Sequence, residues 1–183
     1  MPRIEPISDK SDVPAEYHSV VDGVLARFGR IRGPFSVLLH SPRLAERLLG
    51  VGNYFHRDSI VADKDKSLAI LVATRQREGG YVWAAQVAAA RRAGVREEAI
   101  ELIRQKGDPA KLLPEERAIV AYVRELVETN RISQATFDAL KQNHDVPWMV
   151  ELTAAAGYYG FLCGLVSAFE VPVPPDGERL PTG

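Results

Sequence analysis

Arg75 and Gln86 are the two polar residues whose surroundings in the sequence could serve chemistry. Arg75 lies seven residues after one leucine and four after another, so on a helix it shares their apolar face. A guanidinium on such a face needs a partner, and the carboxylate of a substrate would be one. The alternative is a structural role, in which Arg75 reaches solvent at a helix end or pairs with Glu78 or Glu151. Gln86 could orient a carboxylate, a carbonyl or a water, but it does not titrate.

Aromatic side chains stand close to Gln86 in the stretch GGYVWAAQVAAARRAG, residues 79–94. Tyr81 and Trp83 are predicted to bind substrate as walls of a small pocket, the alternative being a role in the core or at an interface. Nothing between Tyr81 and Ala90 titrates near neutral pH, so a proton donor must come from elsewhere in the chain.

Histidines are the candidates for moving a proton. His56 ends the helix before that of Arg75, where the alternative is a cation favoured by the helix dipole. His40 precedes Ser-Pro, where its ring lines a cleft or caps a turn. No two histidines are spaced i, i+3 or i, i+4, so no metal site is predicted. No glycine-rich phosphate loop and no nucleotide-binding motif occur, so the expected protein is cofactor-free.

Composition limits the class of protein. The 183 residues are 46% hydrophobic, which suits one domain with a proper core. The formal net charge of −1 comes with no basic stripe, so no nucleic-acid partner is expected. The first residues are charged and broken by proline, so we expect no signal peptide and a cytoplasmic protein. The single Cys163 excludes an internal disulfide, and its apolar neighbours predict a small core residue.

Helices must position these residues, because apolar residues recur at helical spacing and no strand-like alternation is present. The predicted architecture is an all-α, single-domain bundle of about eight helices. Predicted helix starts are marked by four capping residues, Ser41, Asp63, Ser133 and Asp145. Glycine marks the predicted ends of two helices: Gly79-Gly80 ends the first, and Gly94 ends the second.

The most apolar stretch, residues 152–169, has no charge over 18 residues. That length is at the lower edge of a membrane span, but no Lys/Arg cluster flanks it, so we predict a central buried helix and no membrane partner. Glu151, Tyr158 and Tyr159 belong to this helix, and the sequence leaves open whether they reach a cavity. Beyond residue 173 the chain is proline-rich, and such a tail is expected on the surface or on a neighbouring subunit.

Several segments in fixed order resemble one family. HSP before a helix, LAILVATR, YVWAAQVAAARRAGV, EERAIVAYVRELVETNRIS and ELTAAAGYYGFLCGLVSAFEVP together resemble the carboxymuconolactone decarboxylase and alkylhydroperoxidase D-like superfamily. The resemblance covers residues 34–173, which leaves residues 1–33 as an N-terminal helical extension and 174–183 as a proline-rich tail. It implies an all-helical fold that assembles into homo-oligomers such as dimers, trimers or hexamers.

The resemblance also implies where the family's chemistry would sit. The two cysteines of its redox branch align with Gly79 and Val82, its histidine aligns with Gln86, and its glutamate falls near Ser67. The Y-E-W-x-x-H pattern of its decarboxylase-like branch corresponds to the residues from Tyr81 to Gln86. Valine and glutamine replace the two titrating residues of that pattern. The resemblance therefore implies a substituted or rebuilt site.

Two functions compete on this basis. The first is a cofactor-free lyase or isomerase acting on a small organic acid or lactone. Arg75 would hold the carboxylate of that substrate, Gln86 would orient it, and His56 or a tyrosine would move the proton. The second is an inactive member that binds a small molecule or a protein. An alkylhydroperoxidase-type peroxidase or disulfide reductase is least expected, because one cysteine cannot cycle an internal disulfide.

Overall fold

The structure, a computed structural model, describes residues 2–181 and is all-helical within them. This part of the chain contains nine α-helices, three short 3-10 helices and no strand, which confirms the all-α prediction. Met1 and the last two residues of the predicted tail lie outside the described residues. The α-helices are α1 (His18–Phe28), α2 (Pro34–Leu38), α3 (Pro42–Arg57), α4 (Asp63–Gln76), α5 (Gly80–Arg92), α6 (Glu97–Arg104), α7 (Pro114–Thr129), α8 (Gln134–Lys141) and α9 (Val146–Ala168). The 3-10 helices are Lys10–Asp12, Ala15–Tyr17 and Pro109–Lys111.

Helix starts follow the predicted capping residues in part. Ser133 Oγ accepts a hydrogen bond from the Thr136 amide at 3.3 Å, and Asp145 Oδ1 accepts one from the Trp148 amide at 3.0 Å. Both side chains therefore cap their helices as predicted. Asp63 is instead the first residue of α4, where its negative charge complements the helix dipole.

A tight turn joins α4 to α5 and differs from the predicted glycine stop. Glu78 takes the left-handed conformation there, with φ at 50°. The Gly79 amide donates to the carbonyl of Thr74 at 2.9 Å, and Gly79 is the residue that precedes the first turn of α5. Gly94 has a φ of 88° and follows the end of α5, as predicted.

Two compact units divide the chain. The first runs from the N-terminus to Ser59 and includes Leu165–Pro172. Its core is formed by buried valines of α1 and by the apolar side chains of α2. The Ile7 amide donates to the carbonyl of Ser36 at 2.9 Å, which ties the N-terminal segment to α2.

The second unit comprises Ile60–Gly164 and the chain from Val173 onward. Helix α4 is its most enclosed helix, because every residue from Leu68 to Arg75 is buried. Helices α5, α6 and α7 pack against α4 and contribute fully buried side chains such as Trp83 and Ile100. The helices that carry the candidate site are thus held by an apolar core.

Helix α9 is apolar all round, yet much of it is exposed. Val146, Val150 and Phe161 are 56%, 59% and 43% exposed. The predicted central buried helix is therefore buried on one face only. In the described chain α9 is the one helix long and apolar enough to qualify as a membrane span, with 39% of its most apolar stretch buried. Core helices of soluble proteins meet the same criterion, so this is weak evidence for a membrane.

Candidate functional site

The start of α5 is shaped by a close approach to α9. A Cβ placed on Gly79 would lie 2.2 Å from Cys163 Sγ and 2.8 Å from Cys163 Cβ, closer than side-chain atoms pack. Only glycine fits at this position. The position that the resemblance assigns to a redox cysteine is therefore filled by the thiol of another helix.

Cys163 is buried, as its apolar neighbours predict, with 1% of its surface exposed. Burial raises the pKa of its thiol to about 12, and the opposing effect of Arg77 is smaller. Because the thiolate is the reactive form, a thiol that stays protonated at neutral pH is a poor nucleophile.

Arg75 is buried on α4 and is engaged by the protein itself. Its Nε donates to the carbonyl of Arg104 at 2.6 Å, and its Nη1 donates to the carboxylate of Glu78. Glu78 also accepts a hydrogen bond from Lys106 Nζ at 2.6 Å, and this bond is the largest cause of the lowered pKa of Glu78. The geometry corresponds to the structural pairing with Glu78 that the sequence left open.

The aromatic pair of α5 points into the protein. Tyr81 and Val82 are buried and Trp83 is completely buried, whereas Gln86 is half-buried two turns into the helix. The indole Nε1 of Trp83 has no hydrogen-bond partner among the described residues. The guanidinium carbon of Arg104 lies 5.7 Å from the Trp83 ring centroid, within the range of a cation–π contact.

The C-terminal segment, defined as Val173–Pro181, lies along α5. A Cβ on Gly80 would be 3.4 Å from Val173 Cγ2, and a Cβ on Gly177 would be 2.7 Å from the Cβ of Ala84. Leu180 packs against the apolar core of the second unit. The tail predicted to lie on the surface or on a neighbour thus covers the site helix of its own chain.

Two arginines hold the carboxylate of Glu178 in this segment. Arg104 Nη2 donates to Glu178 Oε2 at 2.5 Å, and Arg91 donates from Nη1 to Oε1 and from Nη2 to Oε2. Arg91 in turn pairs with Glu97 through two hydrogen bonds of 2.8 and 2.7 Å. Hydrogen bonds from Arg91 first, and then from Arg104, lower the pKa of Glu178 to about 2.

This cluster of Arg91, Arg104 and Glu178 is a carboxylate-binding arrangement beside an indole. Sequence reasoning missed all three residues. The only local signal is that each arginine falls in the last turn of its helix, which the helix dipole already explains. Glu178 is 87 residues from Arg91 and 74 from Arg104, and no periodicity links such distant positions.

The predicted proton carriers belong to the other unit. His40 is exposed, and its Nε2 lies 2.9 Å from the carbonyl oxygen of Glu5. His56 is exposed in the last turn of α3. Both histidines are in the first unit, whereas Arg75 and the site residues of α5 are in the second. The involvement of these histidines in a site with Arg75 and Gln86 stays a prediction.

Residues of α9 have other contacts. Glu151 Oε2 accepts a hydrogen bond from the Ile60 amide at 2.9 Å, so this carboxylate anchors the segment before α4. The rings of Tyr158 and Tyr159 meet edge to face at 5.4 Å. Among the described residues no group of three or more His, Cys, Asp or Glu side chains is arranged to hold a metal ion.

A surface groove lies between α7 and α8 of the second unit, with a volume of about 270 Å³. It is lined by Pro114, Arg117, Ala118, Ala121, Ala135, Thr136 and Ala139. None of the residues predicted for the site contributes to this groove.

Residues 42–125 match the sequence model of the carboxymuconolactone decarboxylase family. The matched segment runs from the start of α3 into α7 and includes α4 and α5. No curated protein matches the chain in sequence.

Solved structures share the fold. The alkylhydroperoxidase AhpD core of an uncharacterised peroxidase-related protein from Ralstonia eutropha matches with a TM-score of 0.75 at 14% identity, covering 94% of this chain and 95% of that one. A cysteine-to-alanine variant of the debrominase Bmp8 in complex with 2,3,4-tribromopyrrole matches at 0.71 and 18%, covering 96% and 95%. A protein of unknown function from Agrobacterium tumefaciens, named after the antioxidant defence protein AhpD, matches at 0.67 and 18%, covering 76% and 96%. At these identities the likeness establishes the fold.

The all-helical fold and the matched segment define a protein of the AhpD-like class. The match of residues 42–125 to the carboxymuconolactone decarboxylase family and the shared fold of the AhpD-like structures confirm the resemblance drawn from the sequence.

Proposed function

We propose that this superfamily member binds a small organic carboxylic acid between Arg91 and Arg104, beside the indole of Trp83. The observation that supports the proposal is that these two guanidinium groups hold the carboxylate of Glu178. Two guanidinium groups on one carboxylate form charge-assisted hydrogen bonds that a neutral amide or alcohol does not replace. The ligand class is the one predicted from the sequence, but the residues that recognise it differ.

Arg75 is the weaker candidate for the carboxylate clamp. Its Nε and Nη1 are engaged by the carbonyl of Arg104 and by Glu78. A ligand would have to break those bonds, and the carbonyl of Arg104 would then lose its charged donor, which is costly. We therefore assign Arg75 to supporting the backbone of Arg104.

Catalysis by a lyase or isomerase is the alternative, and it would need a group that moves a proton at neutral pH. Gln86 is available to orient an acid or a lactone but does not titrate. The pKa values of about 2 for Glu178 and about 12 for Cys163 lie far from neutral on either side. These values favour binding over acid–base catalysis, and the thiol pKa also argues against a peroxidase.

Self-association is the second part of the proposal. The exposed face of α9 presents Val146, Val150 and Phe161 with the small residues Ala154 and Gly157 between them. An uncharged face with small residues lets a like helix approach closely. We propose that a second copy of the chain covers this face in a cytoplasmic dimer, trimer or hexamer.

Binding is tested in the Glu178→Ala variant, in which both arginines lose the carboxylate of Glu178 and keep their ion pairs with Glu97 and Glu101. Isothermal calorimetry at low ionic strength compares 4-methylpentanoate with the neutral 4-methylpentanamide. We expect the acid to bind and the amide not to bind. Adding Arg104→Gln should weaken binding of the acid at least about tenfold, since one member of a close charge pair is lost.

The matched control is Arg92→Gln in the same Glu178→Ala background. It removes one positive charge next to Arg91 but does not touch a residue that holds Glu178. Binding of the acid should stay within about twofold, because exposed charges contribute little at a distance. Equal binding of acid and amide, or no binding of the acid to Glu178→Ala, would contradict the proposed function.

A further inference from the structure

We propose that the C-terminal segment is a built-in competitor for this site, so that an organic acid binds by displacing Glu178 and releasing the segment. The inference rests on the proposed function of the Arg91–Arg104 site. Beyond that function, the inference states how binding at the site is regulated and what shape of ligand the site accepts.

The segment occupies the site in the manner of an amphipathic acid. Its carboxylate is held by Arg91 and Arg104, while Val173 lies against Gly80 and Leu180 packs on the apolar core. A free acid that replaces it would present the same chemistry, a carboxylate head with a small branched apolar body. This is the reason for choosing 4-methylpentanoate as the probe.

The attachment of the segment is suited to release. The backbone hydrogen bond described for it, from the Gly177 amide to the Pro174 carbonyl at 2.9 Å, closes a turn inside the segment. Side chains therefore connect it to α5 and α6, and such segments open locally at lower free energy than core helices. Its prolines restrict the released state, which limits the entropy lost when the segment docks again.

The ion pairs of the segment remain accessible to a competing ion. The side chains of Arg91 and Glu178 are 36% and 37% exposed, and that of Arg104 is 20% exposed. A carboxylate from solvent can thus approach both guanidinium groups as Glu178 leaves. The apparent affinity for that acid equals the affinity of the open site multiplied by the fraction of molecules in which the segment is open.

A substitution at Gly177 can displace the C-terminal segment from α5 without changing any charge. A Cβ there would be 2.7 Å from the Cβ of Ala84, so Gly177→Ala cannot dock as the native segment does. Ala84→Gly removes this atom but leaves the carbonyl oxygen of Pro174, which would be 3.1 Å from the added Cβ, so the double variant should regain docking in part. Asp176→Asn removes a negative charge beside this position and serves as the matched control.

The experiment measures binding of 4-methylpentanoate by calorimetry in the full-length chain and its variants. Glu178→Ala and Gly177→Ala should each bind the acid at least about tenfold more tightly than the unmodified chain. Asp176→Asn should resemble the unmodified chain, and the Gly177→Ala/Ala84→Gly double variant should bind the acid less tightly than Gly177→Ala alone. Equal affinities of the unmodified chain, Glu178→Ala and Gly177→Ala for the acid would show that the segment does not compete for the site.

A second readout detects release of the segment directly. Trypsin cleaves after Arg179, which lies inside the segment and is exposed. Added 4-methylpentanoate should accelerate this cleavage at least about threefold in the unmodified chain, while 4-methylpentanamide should not, because only open molecules are cut. Acid-induced protection of Arg179 would contradict displacement.

The failure of the competitor and that of the proposed function give different results. If Glu178→Ala binds the acid through Arg104 but no more tightly than the unmodified chain, the site stands and the competitor is wrong. If Glu178→Ala does not bind the acid, both are wrong, and Glu178 ties down the C-terminus without standing in for a ligand.

Discussion

Cys163 lies so close to Gly79 that its side chain leaves no room for a Cβ at Gly79. The thiol of α9 stands 2.2 Å from where a Cβ on Gly79 would be. The position that the resemblance assigns to a redox cysteine is thus a packing contact between α9 and the start of α5.

Gly79→Ala should lower the free energy of unfolding by about 1–3 kcal/mol, the usual range for overpacking. Cys163→Ala removes Sγ but keeps the Cβ, 2.8 Å from the added methyl group, so the double variant should recover only part of the loss. Urea denaturation measures all three. Gly50→Ala, on an exposed helical position with nothing within 4 Å, is the control and should gain up to about 1 kcal/mol. Additive losses in the cycle would contradict the contact.

Cys163 should be unreactive in the native chain. With a thiol pKa of about 12, iodoacetamide at pH 8 should modify it only as fast as the protein opens. Mass spectrometry with and without urea measures the two rates. Peroxide turnover that disappears in Cys163→Ser would show that this thiol reacts and would contradict the expectation.

Arg75→Leu should reduce stability by about 1–3 kcal/mol, because the carbonyl of Arg104 loses a charged donor and Glu78 keeps only Lys106 of its two described partners. The sequence-based prediction is different: a carboxylate clamp whose loss weakens acid binding by about 2–5 kcal/mol. Calorimetry in the Glu178→Ala background separates the two. Intact binding with lower stability would support the structural role, and lost binding with unchanged stability would restore the clamp.

Attachment of the C-terminal segment should weaken in acid. The pKa of Glu178 is lowered from 4.5 to about 2 in the folded chain, so its contribution is complete above pH 4.5 and is lost as the pH falls towards 2. The groups around it are Arg91 and Arg104, with Glu97 and Glu101 as neighbouring carboxylates. The NMR amide signal of Gly177 reports the docked state. Glu178→Gln should lose most of this pH dependence, and an unchanged profile would assign it to Glu97.

Self-association should depend on the exposed face of α9. Light scattering of the unmodified chain should give a multiple of 20.2 kDa at micromolar concentration. Phe161→Glu places a charge on this apolar face and should shift the mass towards the monomer. Lys141→Glu, an exposed charge change on α8, is the control and should leave the mass unchanged. A monomeric unmodified chain would contradict the assembly.

The sequence predicts the helices well because each of them carries its own signal. Ser133 and Asp145 are recognisable caps, and apolar spacing places Arg75 on a face with leucines that the structure shows as buried. The partner of Arg75 could be offered as Glu78 because the two are three residues apart on one helix end. Local chemistry was sufficient for these features.

The candidate site was less predictable because it depends on distant contacts. Glu178 meets Arg91 and Arg104 only after the tail folds back along α5, and nothing in the proline-rich stretch specifies that direction. The close approach of Cys163 to Gly79 depends on how α9 packs on the α4–α5 turn. The resemblance names α5 as the site helix, which stays a prediction, but family positions do not record that the thiol of Cys163 already fills the volume beside Gly79.

The enclosure of α4 has a consequence for motion. Its amides from Leu68 to Arg75 lie in a fully buried stretch, so they can exchange with deuterium only when the second unit as a whole unfolds. The amides of the C-terminal segment, which few contacts hold in place, are expected to exchange with deuterium each time the segment opens locally. Arg91 and Arg104 lie in the last turns of α5 and α6, which pack against α4, the helix expected to exchange most slowly. A ligand would thus bind two guanidinium groups on rigid helices after the C-terminal segment has been released.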